Sequence, residues 1–264
     1  MPTMQELQQG AHDHGHDYTA GSPHLRHNSL RCRIIEQLQE SVREITDVRG
    51  ECHALEVGAG HGTFTDHIVA AGATVEVTEM SRPSADELRR RFRHNRAVEV
   101  LDDPDGSRAG AGGPVDLVAC LSVLHHIPDY VGAVKSMVGR IRPGGGFVSF
   151  QDPIWYPRQG RLTRGMDQAA YLAWRLPRGE FRRGLATTLR RIRGKLDETN
   201  PSDMVEYHVV RNGVDEVALA DLLRAEFADV QLITYWSSQG MLPQQLGALA
   251  GRPNTFGLVA SGRR

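Results

Sequence analysis

The chain reads as an α/β protein. A doubly wound, mostly parallel seven-stranded sheet with an antiparallel last strand is expected, with a helical cap inserted after the fifth strand. Three observations predict this. From residue 53, short apolar runs alternate with helical segments, and parallel neighbours need such crossovers. A glycine-rich turn sits where the first apolar run meets the first of these helices. The last two apolar runs lie close together with no good crossover helix between them, so they are expected to pair antiparallel at the sheet edge.

Residues 1–20 are polar, and the His12-Asp13-His14-Gly15-His16-Asp17 patch reads as a solvated tail, because no fixed element gathers its ligands. A helix is expected over residues 25–48, where Leu30, Ile34, Ile35, Leu38, Val42 and Ile45 recur at three- and four-residue spacing. Strands follow at 54–57, 74–78, 98–101, 115–120 and 146–150, with helices at 62–71, 84–94 and 129–141 between them. Arg142-Pro143-Gly144-Gly145-Gly146 is a stop and turn before the fifth strand. A helix at 215–228 precedes a strand at 230–236, and a loop marked by Gly251 and Pro253 leads to the last strand at 255–260. The division is therefore 1–50 for the tail and lid helices, 51–152 and 213–264 for the core, and 153–212 for the cap.

Charge and cysteine content narrow the function classes. A net charge of −1 gives no overall bias toward nucleic acid or anionic membrane. Cys32, Cys52 and Cys120 are odd in number and widely spaced, which indicates neither a disulfide framework nor a zinc site. No apolar run reaches signal-peptide or membrane-span length, so a cytoplasmic protein is expected. Oligomeric state leaves no signature.

The run Glu56-Val57-Gly58-Ala59-Gly60-His61-Gly62 ends a buried strand and opens a helix. Glycine there permits a tight turn and close approach of a ligand to the backbone. Dinucleotide enzymes space these glycines as G-x-G-x-x-G, whereas here the third stands at 62 and residue 63 is Thr. Glu79 ends the second strand 21 residues after Gly58, where an acid can accept from both ribose hydroxyls. The third strand ends at Asp102-Asp103-Pro104, and the fourth runs into Ser122-Val123-Leu124-His125-His126-Ile127-Pro128-Asp129.

Over about residues 53–150 this pattern resembles the class I (Rossmann-like) S-adenosylmethionine-dependent methyltransferases, whose motif I is D/E-x-G-x-G-x-G. The resemblance implies S-adenosyl-L-methionine as cofactor and S-adenosyl-L-homocysteine as product. It places Gly58, Ala59 and Gly60 around the amino acid and ribose, and Glu56 near the methionine amino group. Asp103, in preference to Asp102, would take the adenine amino group, and Met80, Leu121 and Ser122 join the cofactor-binding positions. The Leu124-His125-His126 segment and the Arg-Pro-Gly-Gly turn also match the family. In similar enzymes N-terminal helices close over the cofactor, which makes Tyr18, His24 and His27 candidate contacts.

Methyl transfer needs aligned reactants and, for a protonated acceptor, a base; histidine suits that role near neutral pH. His125, His126, Asp152 and His208 are the catalytic candidates. Trp155, Tyr156, Arg158, Tyr171 and Trp174 of the arginine- and aromatic-rich cap are candidate contacts to an aromatic or anionic small molecule. Asp152-Pro153-Ile154-Trp155 looks like the D-P-P-Y motif of amino-directed DNA methyltransferases, but it follows strand five rather than strand four, so a nucleic-acid substrate is not expected. No carboxylate set suggests a metal. The resemblance implies an O, N or C acceptor in specialised, natural-product metabolism. The alternatives are a non-catalytic module that keeps the cofactor pocket, and a nicotinamide-dependent oxidoreductase, which the glycine spacing disfavours.

Overall fold

The computed structural model describes residues 21–175 and 213–264. The first long helix is broken at His27, whose φ of −94° and ψ of 113° are extended, into α1 (Pro23–Arg26) and α2 (Asn28–Arg49). Leu30, Ile34, Leu38, Val42 and Ile45 of α2 are buried, as their spacing predicts, and Gly50 ends the helix at φ 84°.

The βα alternation follows. β1 (His53–Val57), α3 (Thr63–Ala70), β2 (Thr74–Glu79), α4 (Arg82–Phe92) and β3 (Val98–Asp102) build one half. α5 (Ser107–Ala111), β4 (Val115–Leu121), α6 (Tyr130–Arg140) and β5 (Ile141–Pro153) begin the other. After α7 (Arg161–Arg175) come α8 (Glu216–Glu226), β6 (Phe227–Tyr235), α9 (Met241–Leu249) and β7 (Thr255–Arg263). The seven strands are ordered β3-β2-β1-β4-β5-β7-β6, and β7 is antiparallel to both neighbours. The fold expected from sequence is borne out.

Each face of the sheet is covered by its own apolar cluster. Ile34, Leu38 and Val42 pack with Ile68, Leu88, Leu117 and Val148 on one side. Val134, Met137, Leu219 and Leu223 pack with Val118, Phe147 and Leu258 on the other. Because both faces are buried, β4 is buried at every position, which is why it reads as an apolar run broken only by Asp116, itself paired with Arg142. The strand order reverses between β1 and β4, and ligands of such sheets bind beyond the carboxyl ends of the strands there.

Three details depart from the sequence reading. The Arg142–Gly145 turn lies inside β5: Val115 pairs with Ile141 and Leu117 with Gly146, so the intervening residues bulge out. The β6–β7 connection contains α9, whose sequence Met-Leu-Pro-Gln-Gln-Leu-Gly-Ala-Leu lacks charge and carries Pro and Gly, which masks a helical pattern. The short α5 was not anticipated. The ends of the insertion after β5 are pinned together, with Ile154 bridged to Val214 and the Val214 N–H donating to Pro153 O at 3.0 Å. Tyr18, His208 and cap residues 176–212 lie outside the described residues.

Candidate active site

The carboxyl ends of β1, β2 and β4 open into a cavity of about 260 Å³. Its floor is the glycine turn. Gly58 has φ 65° and donates its N–H to Thr78 O at 2.8 Å; a Cβ there would lie 2.8 Å from Val123 Cγ2. Gly60 has φ 57°, and a Cβ there would meet no protein atom within 4 Å, because it faces the cavity. The first glycine therefore serves packing and the second leaves room for a ligand.

Carboxylates surround this floor. Glu56 lines the cavity yet is 1% exposed, and Thr65 donates its hydroxyl to Glu56 Oε2 at 2.5 Å. Burial raises its pKa to about 7, against the lowering effect of that hydrogen bond. Glu79 accepts the Gly60 and Ser81 N–H groups, each at 3.1 Å, which ties the end of β2 to the glycine turn. Its pKa is also raised, first by burial. Asp103 lines the cavity while accepting from the Arg108 and Ala109 N–H groups at 3.0 Å, so it also fixes the start of α5. Asp102 is turned away: it ion-pairs with Arg89 at 2.9 Å, as the alternation of side chains along a strand requires. Of that pair, the structure puts only Asp103 at the cavity.

Met80, Ala59, Leu121 and Ser122 line the same space, with Phe64, Val123 and Ile127 as apolar wall. Phe64, Thr65, Ser81 and Ile127 were not singled out from sequence. Phe64 and Thr65 could have been found by noting that the first turn of the helix after a glycine turn must face the same ligand. The residues fit S-adenosylmethionine: a buried carboxylate for its ammonium, a second acid for its ribose, and an open path over Gly60.

Beside the cavity lies a histidine–carboxylate pair. Asp152 is fully buried, and its Oδ1 accepts His125 Nδ1 at 2.7 Å and the His125 N–H at 3.1 Å. The ring of His126, which lines the cavity, lies 4.0 Å from that of His125. A β-bulge makes the pairing possible. Phe150 pairs with Gly257 and Asp152 with Phe256, leaving Gln151 between them at φ 72°. Phe150 thus points into one core cluster while Asp152 turns to the face of Phe256. The Tyr235 hydroxyl accepts the Gln151 N–H at 2.9 Å, and the Gln151 amide donates to Ser237 Oγ at 2.6 Å. Ser122, which follows β4 and donates its N–H to Phe150 O at 2.8 Å beside this bulge, also has positive φ, 62°. Two non-glycine residues in this conformation mark a strained and over-determined corner.

The lid residues separate. His24 lines the cavity, whereas His27 Nε2 lies 2.8 Å from Ser238 O and holds α1 to the turn before α9. The described cap residues stand outside the cavity lining. Arg158 stacks on Trp155 at 4.6 Å and pairs with Asp215 and with buried Glu216, at 2.8 Å to the latter. Tyr156 opens a single 3-10 turn, and Tyr171 stacks on Trp174 with ring centroids 6.1 Å apart. Among the described residues no group of three His, Cys, Asp or Glu side chains is placed to hold a metal ion, and no helix is long and apolar enough to cross a membrane.

Residues 55–147 match the family model described as a methyltransferase domain. A ubiquinone biosynthesis O-methyltransferase of Ralstonia nicotianae is 30% identical over 96 residues, 34% of this chain and 39% of that protein. One from Coxiella burnetii is 28% identical over 126 residues, 45% of this chain and 47% of that protein. The matched region thus spans less than half the length of these curated relatives. Among solved structures, the N-methyltransferase NodS from Bradyrhizobium japonicum, in complex with S-adenosyl-L-homocysteine, superposes with a TM-score of 0.54 at 16% identity, covering 99% of this chain and 97% of that one. That likeness shows the shared fold. With the family match, the sheet order and the carboxylate-ringed glycine turn together, residues 55–147 carry a methyltransferase domain that resembles the class I S-adenosylmethionine-dependent enzymes.

Proposed function

We propose that the chain transfers a methyl group from S-adenosylmethionine to a hydroxyl oxygen of a small molecule, with His125 as general base and Asp152 as its positioning residue. The observation that carries this reading is the 2.7 Å His125–Asp152 contact beside the cavity. When bound, the cofactor supplies an electrophilic methyl carbon on a sulfonium; the oxygen–carbon bond forms as the carbon–sulfur bond breaks, and the electron pair stays on sulfur.

The chain's own residues supply alignment and proton removal. Asp152, sealed from water, accepts the Nδ1–H of His125 and fixes the ring, which assigns the role of base to Nε2. Glu56 receives the ammonium and Glu79 the ribose hydroxyls, while Gly60 gives them access to the backbone. An oxygen acceptor has the greatest need of a base, and the relatives named O-methyltransferases support that choice over nitrogen or carbon. Placement in specialised metabolism rests on the resemblance alone.

Calorimetry with S-adenosylhomocysteine and with NAD tests the class. Binding of the first with no heat from the second is expected, and the reverse would overturn the reading. A methylation screen over phenols and alcohols then tests the base. His125→Asn and Asp152→Asn should each lower kcat by about 10²–10⁴-fold with the homocysteine product still bound normally. Activity undiminished in both variants would remove His125 from the mechanism.

A further inference from the structure

Asp152 is held by one oxygen only. Its Oδ1 takes both bonds from His125, while Oδ2 of this fully buried side chain has no hydrogen-bond partner among the described residues. The carboxylate therefore has no polar anchor besides His125, and its direction is set by the backbone that carries it. That backbone is the bulge. The β5–β7 register skips Gln151, so its N–H falls outside the ladder and needs another acceptor. Tyr235 of β6 supplies one from two strands away, since β7 lies between β5 and β6. Its hydroxyl accepts the Gln151 N–H at 2.9 Å and directs its own proton toward Gln151 Oε1 at 3.4 Å.

We propose that Tyr235 is a positioning residue for the methyl transfer, its hydroxyl fixing the bulge that turns Asp152 onto His125. The effect on rate rests on the function proposed above, whereas the effect on His125 is read without it. A positioning residue must itself be firmly placed, and Tyr235 is. It is buried; its ring lies 6.3 Å from that of Phe150, and the Arg33 guanidinium of α2 stands 6.0 Å from its centroid. Gly257 of β7 keeps the space for Phe150 open, since a Cβ there would lie 2.4 Å from Phe150 Cδ1. At the backbone, Tyr235 O accepts the Asn254 N–H at 3.1 Å. Burial pushes the Tyr235 pKa up, so the group stays a neutral hydroxyl, able to accept and donate at once.

Tyr235→Phe removes the hydroxyl and keeps the ring, and the test compares it with the wild type, both as full chains labelled with ¹⁵N-histidine. The His125 ring signals, assigned by their absence from His125→Asn, should be displaced by the substitution. With the phenol or alcohol that the screen above identifies, kcat should fall about three- to tenfold, the effect of one hydrogen bond, with the Michaelis constant and S-adenosylhomocysteine affinity within about twofold of normal. A tyrosine that only stabilised the sheet would lower Tm and leave the His125 signals in place, so unmoved signals would overturn the proposal whatever happens to kcat. Displaced signals with unchanged kcat would show that Tyr235 sets His125 but that His125 is not the base. The fault then lies with the function proposed above, and the positioning role falls with it. Amide exchange in the wild type needs no variant: the Gln151 N–H should be protected, and exchange at the rate of an open loop would overturn the contact and the proposal together.

Discussion

Glycines 58 and 60 have similar backbones and different jobs, and substitution should separate them. Both sit at positive φ, so alanine costs each about 1–2 kcal/mol of backbone strain. Gly58→Ala adds a clash with Val123 and should lower Tm markedly. Gly60→Ala adds no clash within the protein, so its further effect should fall on the ligand: S-adenosylhomocysteine affinity reduced tenfold or more, with a modest change in Tm. Calorimetry and thermal denaturation of both variants check the contrast. Glu56 makes a pH prediction. Its folded pKa of about 7 exceeds the unfolded value of 4.5, so the folded state binds more protons between those values and stability falls as pH rises through them. The contribution amounts to about 3 kcal/mol on the linkage scale. His24, lowered from 6.5 to about 4, contributes the opposite slope over an overlapping range. Only the difference between wild type and Glu56→Gln isolates the effect, and parallel stability–pH curves for the two would refute it. Because an ammonium needs the ionised carboxylate, product affinity should rise with pH up to about 7 and then level.

At the scale of the element, the carboxylates that line the cavity were legible because each lies at or just beyond the end of a strand that periodicity alone locates. Glu56, Glu79 and Asp103 needed only the register of β1, β2 and β3. The His125–Asp152 contact was not legible. Its members lie 27 residues apart, and their meeting depends on a bulge at Gln151, a residue type that gives no signal for positive φ. That bulge can be tested at constant chain length. Gln151→Val should resist φ 72°, destabilise the protein by about 1–3 kcal/mol and lower kcat as Asp152 loses its aim. Gln151→Gly should keep most activity, since glycine adopts the conformation freely and loses only the side-chain contacts to Ser237 and Tyr235. Equal kcat in the two variants would show that the bulge does not set the base. One cap candidate, Arg158, has a structural partner that sequence spacing does not reveal. An arginine beside aromatics suggested anion binding, but Arg158 neutralises buried Glu216, which also accepts the Trp155 N–H at 3.1 Å. Arg158→Ala should therefore cost about 1–3 kcal/mol of stability and leave the Michaelis constant of an acceptor little changed.

For the molecule as a whole, the cavity has parts far apart in sequence that must close on one another. The sheet supplies the floor, but Ser22, His24 and Leu25 of the N-terminal segment form part of the wall. That segment is fastened at a distance: His27 reaches Ser238 O, and Ser238 N–H in turn donates to Gln244 of α9 at 2.8 Å. Ligand binding should thus be felt beyond the glycine turn. At a hundredfold excess over its Kd, S-adenosylhomocysteine stabilises the folded state by about 2.7 kcal/mol through mass action alone. The informative quantity is where that stabilisation appears. If the cavity closes as one unit, amide-exchange protection should rise at residues 22–31 and 236–244 together with residues 56–62, and His27→Ala should uncouple the first two from the third. The reason is physical: the apolar wall contributed by α1 is small, so the segment's order depends on its latch and on whatever fills the cavity. Protection confined to residues 56–62, in both wild type and His27→Ala, would show instead that the N-terminal segment is a fixed wall whose order owes nothing to the ligand.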